Sequence, residues 1–218
     1  MSLFDLPLSS KVDRVVPKNS FDDFASNKVK KLFTNQIQKI LWKNKLSVET
    51  INLRGKEIDE IQFFDIELKE KVYVPDILNA IDKSIPYHII FTIRFNDDVY
   101  VSVSPKHLNP INGNSAVIDH TFKTEWFSSQ EFNFKIDLKN NLDDVFYSFC
   151  SQFSPTIKNN KNLQDFISAN KELDRLNRDI QKIKQQMSQT KQFNKKVELN
   201  QKLLFLENNI ELFIKKLL

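Results

Sequence analysis

Two runs of apolar residues near the C-terminus are spaced alternately four and three apart. The first is Ala169, Leu173, Leu176, Ile180, Ile183 and Met187; the second is Leu199, Leu203, Leu206, Ile210, Phe213 and Leu217. A stripe of this spacing lies along one side of an α-helix and suits a seam buried against a second helix. The two phases do not join, because continuing the first run leads to 190, 194, 197 and 201. The break predicts two helices folded back as an antiparallel hairpin, a coiled coil whose tip is Thr190-Lys-Gln-Phe-Asn-Lys-Lys196. Residues 188–194 contain no Gly or Pro, so one long helix with a stutter is the competing reading. The second helix also carries Leu204, Phe205, Leu212 and Ile214 outside its seam, more than a two-helix hairpin covers.

Upstream the pattern changes character. The opening twenty residues have little periodicity and contain Pro7 and Pro17, which predicts an extended arm. Val29, Leu32, Phe33, Ile37, Ile40 and Leu41 predict one amphipathic helix from Lys28 to about Lys45. Ser47-Val-Glu-Thr50 has the residues of a capped helix start. Residues 58–68 alternate with apolar residues on both faces: Ile61, Phe63 and Asp65 on one, Gln62, Phe64, Ile66 and Leu68 on the other. That predicts a central strand. Pro75 opens a helix that stops before Pro86. Tyr87 to Phe95 and Val99 to Val103 predict a hairpin about Asn96-Asp-Asp98. Residues 109–115 form a polar loop, 116–127 and 131–136 offer one or two further strands, and Asn141 to Phe153 is a helix closed by Ser154-Pro155. The expected fold class is α+β. A mostly antiparallel sheet of four or five strands with covering helices occupies 1–155, and the helical hairpin occupies 156–218.

Composition narrows the chemistry. Gly55 and Gly113 are the only glycines, so Gly-rich phosphate loops of the Walker and dinucleotide types are excluded. No apolar run approaches the ~20 residues of a membrane span. No secretory signal pattern opens the sequence, and a single cysteine, Cys150, sits in an apolar stretch, so the expected compartment is the cytoplasm. The net charge of +4 is unevenly placed. Residues 162–218 hold eleven Lys or Arg against seven Asp or Glu, while the remainder is balanced. No acidic residue falls between Asp179 and Glu198, which leaves Lys191, Lys195 and Lys196 around Phe193 as a basic tip with an apolar point. Such a tip suits contact with a protein partner or with nucleic-acid backbone.

Catalytic patterns are sparse. Asp65-Ile-Glu67-Leu-Lys69 places two carboxylates and a lysine on one strand face, where a metal-dependent nuclease would hold its cation and activate a water. The order of elements argues against it, because the Tyr87–Val103 hairpin follows this strand instead of preceding it. His88 and His107 sit at strand ends without a cysteine or neighbouring carboxylate to complete a zinc set, and Asp119-His120 with Glu125 is a second acid/base candidate. Trp42, Trp126 and most of the nineteen phenylalanines read as core, not as stacking platforms, with Phe193 at the tip as the exception. No catalytic residue, metal ligand or cofactor is assigned.

Three segments resemble a known family. They are Phe33-Thr-Asn-Gln-Ile-Gln-Lys-Ile-Leu-Trp-Lys-Asn-Lys45, Ile81-Asp-Lys-Ser-Ile-Pro-Tyr-His-Ile-Ile-Phe91 and Lys191-Gln-Phe-Asn-Lys-Lys-Val-Glu-Leu-Asn200. The chain resembles, nearly end to end, an uncharacterised bacterial and archaeal family catalogued as a domain of unknown function. Members of that family tend to be encoded beside helicases and DNA methyltransferases in mobile or defence islands. The resemblance therefore implies a DNA-transacting neighbourhood, with no active site to carry over. The resulting expectation is a non-catalytic accessory or adaptor protein whose hairpin meets a helicase, methyltransferase or restriction subunit, with nucleic acid as a second partner. The alternatives are a nuclease using Asp65, Glu67 and Lys69, and a self-associating protein forming a homodimer along the 199–217 seam.

Overall fold

The computed structural model describes residues 3–111, 113, 115–154, 157 and 162–217. The chain divides into two compact units, Met1–Phe153 and Ser154–Leu218. In the first unit the elements are β1 (Lys11–Val15), α1 (Asn27–Gln36), β2 (Ile37–Ser47), α2 (Val48–Ile51), β3 (Glu60–Leu68), α3 (Pro75–Ser84), β4 (His88–Phe95) and β5 (Asp98–Val103). They continue as β6 (Lys106–Leu108), β7 (Ala116–Ile118), β8 (Phe122–Lys123), β9 (Phe127–Ser128) and α4 (Leu142–Ser151). The second unit holds α5 (Leu163–Gln189) and α6 (Phe193–Leu217).

The fold is mixed α/β around a seven-stranded sheet of order β1-β2-β3-β4-β5-β8, with β9 also on β5. Its pairs are antiparallel except β3 with β4, which α3 joins as a crossover. β3 is central, and its alternation meets a core on each face. Phe64, Ile66 and Leu68 share a cluster with Phe33 of α1, Ile77 and Ile81 of α3, and Phe91 and Ile93 of β4. On the other face Phe63 meets Phe4 edge-on at 5.2 Å, and Phe4 continues to Phe132 and Phe149. Burying each such side chain stabilises the fold by roughly 1.5–3 kcal/mol.

The helix expected from Lys28 to Lys45 is corrected: α1 ends at Gln36, and Ile37–Ser47 is a strand. The register against β3 explains the disguise. Ile37 pairs Leu68 while Lys39 pairs Glu67, and Trp42 pairs Phe64 while Asn44 pairs Phe63. At each step β2 spends two residues against one of β3, which is a β-bulge. The first bulge puts Ile37 and Ile40, three apart and both fully buried, on the same face as Leu68 and Ile66. A strand then carries the i, i+3 spacing of a helix. Ser26 caps α1 by accepting from Val29 N, and nothing in the side-chain pattern marks where the helix gives way.

Two further expectations change. The opening arm contributes an edge strand, since β1 pairs β2 antiparallel. The strand expected at 131–136 does not form: residues 129–131 make a 3-10 turn and Phe132 and Phe134 pack as rings without a ladder. Others stand as read. Ser47 and Thr50 form a reciprocal capping box, Pro75 opens α3, and Asn96 turns the β4–β5 hairpin with φ of 52°. Gly55 is required where it stands, because an added Cβ would lie 2.0 Å from Ile58 O. Its loop is held to α4 by Asp143, whose carboxylate accepts from Lys56 N and Glu57 N. The hinge residue Pro155, and Asn112 and Asn114 of the polar loop, lie outside the described residues.

In the second unit, α5 is capped by Asn162 and ends at Gln189, and α6 begins at Phe193. The phase break thus coincides with a three-residue interruption, Thr190 to Gln192, and no continuous helix crosses it. Every residue of both heptad runs is buried or half-buried. The two helices contact one another, with Lys184 Nζ 3.5 Å from the Glu207 carboxylate.

Candidate functional site

The basic tip is rearranged relative to the sequence reading. Lys191 lies in the interruption, whereas Phe193, Lys195 and Lys196 stand in the first turn of α6. All four side chains are exposed, and the three lysines make no ion pair among the described residues. Cations in the first turn oppose the helix dipole, which favours anions there by roughly 0.3–1 kcal/mol each. The α6 first turn has no acidic residue to offset them. Helix stability therefore does not account for these lysines.

α6 carries a second apolar face. Phe193 is 78% exposed, Val197 42%, Leu204 53%, Phe205 65% and Leu212 57%. At about 100° of rotation per residue, their mean direction lies opposite that of Leu199, Leu203, Leu206, Ile210, Phe213 and Leu217. One stripe faces inward and its opposite faces water. Sequence reasoning found Leu204, Phe205 and Leu212 as surplus but not that Val197 joins them to Phe193; the i, i+4 and i, i+7 spacings 193-197-204 carry that signal. Ile214, grouped with them by sequence, is half-buried and points elsewhere.

In the Asp65-x-Glu67-x-Lys69 constellation, Asp65 and Lys69 are each engaged by another element. Asp65 and Glu67 do share a sheet face, opposite Thr92 and Arg94 of β4. Asp65 is bound by Arg94, whose Nε donates to Oδ1 at 2.7 Å, and the Lys69 ammonium donates to the Thr34 carbonyl at 2.7 Å. Among the described residues no group of three or more His, Cys, Asp or Glu is placed to hold a metal ion. The histidines are likewise separated. His88 packs on Phe146 with ring centroids 4.3 Å apart, and burial, then the nearby Lys106 cation, hold its pKa down at about 3. His107 Nδ1 lies 2.9 Å from Asp119 Oδ2, His120 stacks edge-on against Phe122, and Glu125 accepts from the Tyr73 hydroxyl. Asp119 and Glu125 thus engage different partners. Burial pushes the Cys150 thiol well up, which keeps it protonated and unreactive.

One buried ion pair escaped the sequence reading altogether. Lys106, at the start of β6, is buried and its ammonium donates to Asp82 Oδ1 at 2.9 Å, Asp82 O at 2.8 Å and Ile85 O at 2.9 Å. Three donors meet three acceptors, two of them carbonyls at the C-terminal end of α3 that lack intrahelical partners. Burial raises the Asp82 pKa and lowers that of Lys106, each opposed by the partner's charge.

No helix among the described residues is long and apolar enough to cross a membrane. No curated protein and no solved structure matches the chain. The family model described as "Domain of unknown function (DUF4391)" matches residues 4–210, a span that includes the whole sheet and all but the last residues of α6. The chain therefore belongs to the DUF4391 family of domains of unknown function.

Proposed function

We propose that the chain is a non-catalytic accessory protein of a DNA-processing or defence assembly of the helicase or restriction–modification kind. It docks onto a protein partner through α5 and α6, folded back as an antiparallel hairpin. The observation that carries this reading is the exposed apolar face of α6. The inward stripe already meets the need of a two-helix seam, so the outward stripe has no use in such a pair. Its residues span about 28 Å of helix at 1.5 Å per residue. An aligned apolar face of that length exceeds the scattered apolar residues that monomers normally expose. Both ends are basic, with Lys191, Lys195 and Lys196 at one and Lys215 and Lys216 at the other. The fitting partner surface is an apolar groove whose two ends are acidic. Nucleic-acid backbone is the second contact, at the tip lysines.

The test is size and composition of the protein isolated from its own cells, with a Leu204→Asp/Phe205→Asp variant alongside. The native chain is expected in a complex with a distinct protein, and the variant is expected to lose at least 30-fold in affinity for it, as interface aromatics commonly do. A monomer, a homodimer as the sole species, or a complex indifferent to the variant would remove the proposal. For the tip, duplex affinity should fall with salt at a log–log slope no steeper than about −3, set by three phosphates. Changing Lys191, Lys195 and Lys196 to Glu should abolish that dependence; unchanged binding would sink the nucleic-acid contact.

A further inference from the structure

A cleft of about 300 Å³ lies in the α/β body between α3 and β5, at the small end of the range in which proteins bind small molecules. Its floor is polar and buried. Asp82, Ser102 and Ser104 line it, each almost wholly covered. The hydroxyl of Ser102 has no hydrogen-bond partner among the described residues, although burying an unpaired hydroxyl costs about 1–3 kcal/mol. Ser104 Oγ lies 3.1 Å from Thr121 Oγ1, and the Asp82 carboxylate accepts from the Lys106 ammonium at 2.9 Å. Paired with the Lys106 ammonium, Asp82 is an ionised carboxylate and only accepts. Asp82 therefore offers only lone pairs to the cleft.

The walls and mouth have a different character. Tyr73 and Tyr100 form an aromatic side, with ring centroids 5.1 Å apart, and Tyr73 is pinned by its hydroxyl bond to Glu125. Lys123 stands at the mouth with Nζ 4.1 Å from the Tyr73 ring centroid. An occupant must therefore present hydrogen-bond donors inward, an apolar surface to Tyr73 and negative charge outward. Amines and polyamines meet the first requirement but set a cation against Lys123. We propose that this cleft binds a mononucleotide with an amino-bearing base. The base amine meets Asp82 and Ser102, a ribose hydroxyl meets Thr121, and the phosphate meets Lys123. The chain has no glycine loop to wrap the phosphate, so a single side-chain cation carries that contact and affinity is modest. The site is independent of the α6 docking face.

Calorimetry on the full chain with adenosine 5′-monophosphate, adenosine and ribose 5-phosphate tests this. The monophosphate is expected to bind with a dissociation constant near 100 μM, adenosine about tenfold more weakly, and ribose 5-phosphate not measurably. Ser102→Val, which removes the hydroxyl and narrows the floor, should lower monophosphate affinity at least tenfold. Lys123→Ala, an exposed change that leaves the core intact, should equalise the monophosphate and adenosine. Absence of monophosphate binding at 1 mM to folded protein overturns the proposal. So does equal binding of ribose 5-phosphate, or affinity indifferent to both substitutions.

Discussion

Lys106→Met is expected to destabilise the α/β body by about 3–5 kcal/mol, the usual consequence of removing one partner of a buried ion pair. The loss follows from what remains: the Asp82 carboxylate, almost wholly buried and without its counter-charge, and two carbonyls at the end of α3 without their donor. The double variant Lys106→Met/Asp82→Leu removes both charges and should recover more than half of the loss, because desolvation then no longer opposes folding. Urea unfolding of the four proteins in this cycle measures it. If the double variant is no more stable than Lys106→Met, the orphaned carboxylate is not the source of the loss. The lysine would then act mainly as the cap of α3.

The second large effect is a dependence on pH through His88. Its folded pKa is about 3 against an ordinary value near 6.5, so between these limits the unfolded chain binds a proton that the native protein refuses. Stability contributed by the neutral imidazole is complete above pH 6.5 and is lost as pH falls towards 3. Allowing for partial exposure of the ring, the protein should be about 2–3 kcal/mol less stable at pH 4 than at pH 7 from this group alone. Carboxylates titrate in the same window, so the diagnostic quantity is the difference from His88→Phe. That variant keeps an aromatic ring against Phe146, and its stability should fall less over the same interval. Identical pH profiles for the two proteins would show that His88 is solvated in the folded state.

The elements read correctly from sequence are those whose signal is local. The capping box at Ser47, the helix opened by Pro75 and the hairpin about Asn96 each depend on a few adjacent residues with restricted backbone choices. The interruption at Thr190 to Gln192 was legible for a similar reason, since a heptad phase cannot shift within one straight helix without moving its seam off the partner. β2 misled because its bulges are a property of its pairing with β3, and side-chain spacing alone does not distinguish a bulged strand from a helix turn. The segment 131–136 misled in the opposite sense: alternation was present, but no strand lay beside it to pair.

Function-bearing groups divide along the same line. Phe193 and the three lysines were visible because charge segregation is a property of the linear sequence. The engagement of Asp65 and Lys69 was not, because their partners Arg94 and Thr34 come from other elements. Lys106 reads in sequence as an ordinary surface lysine after a proline, and only packing of β6 against the end of α3 buries it. Ser102, Ser104 and Thr121 likewise come to line one cleft with Asp82 only in the folded body. By itself, the sequence determined the heptad periods of α5 and α6, the caps and turns, the surplus apolar residues Leu204, Phe205 and Leu212 on α6, and the absence of a glycine phosphate loop. Tertiary structure decided which strands pair, where they bulge, and which polar groups meet. The reason is physical: periodicity and capping act over three or four residues, whereas partners of buried charges and hydroxyls are chosen by packing between elements far apart in the chain.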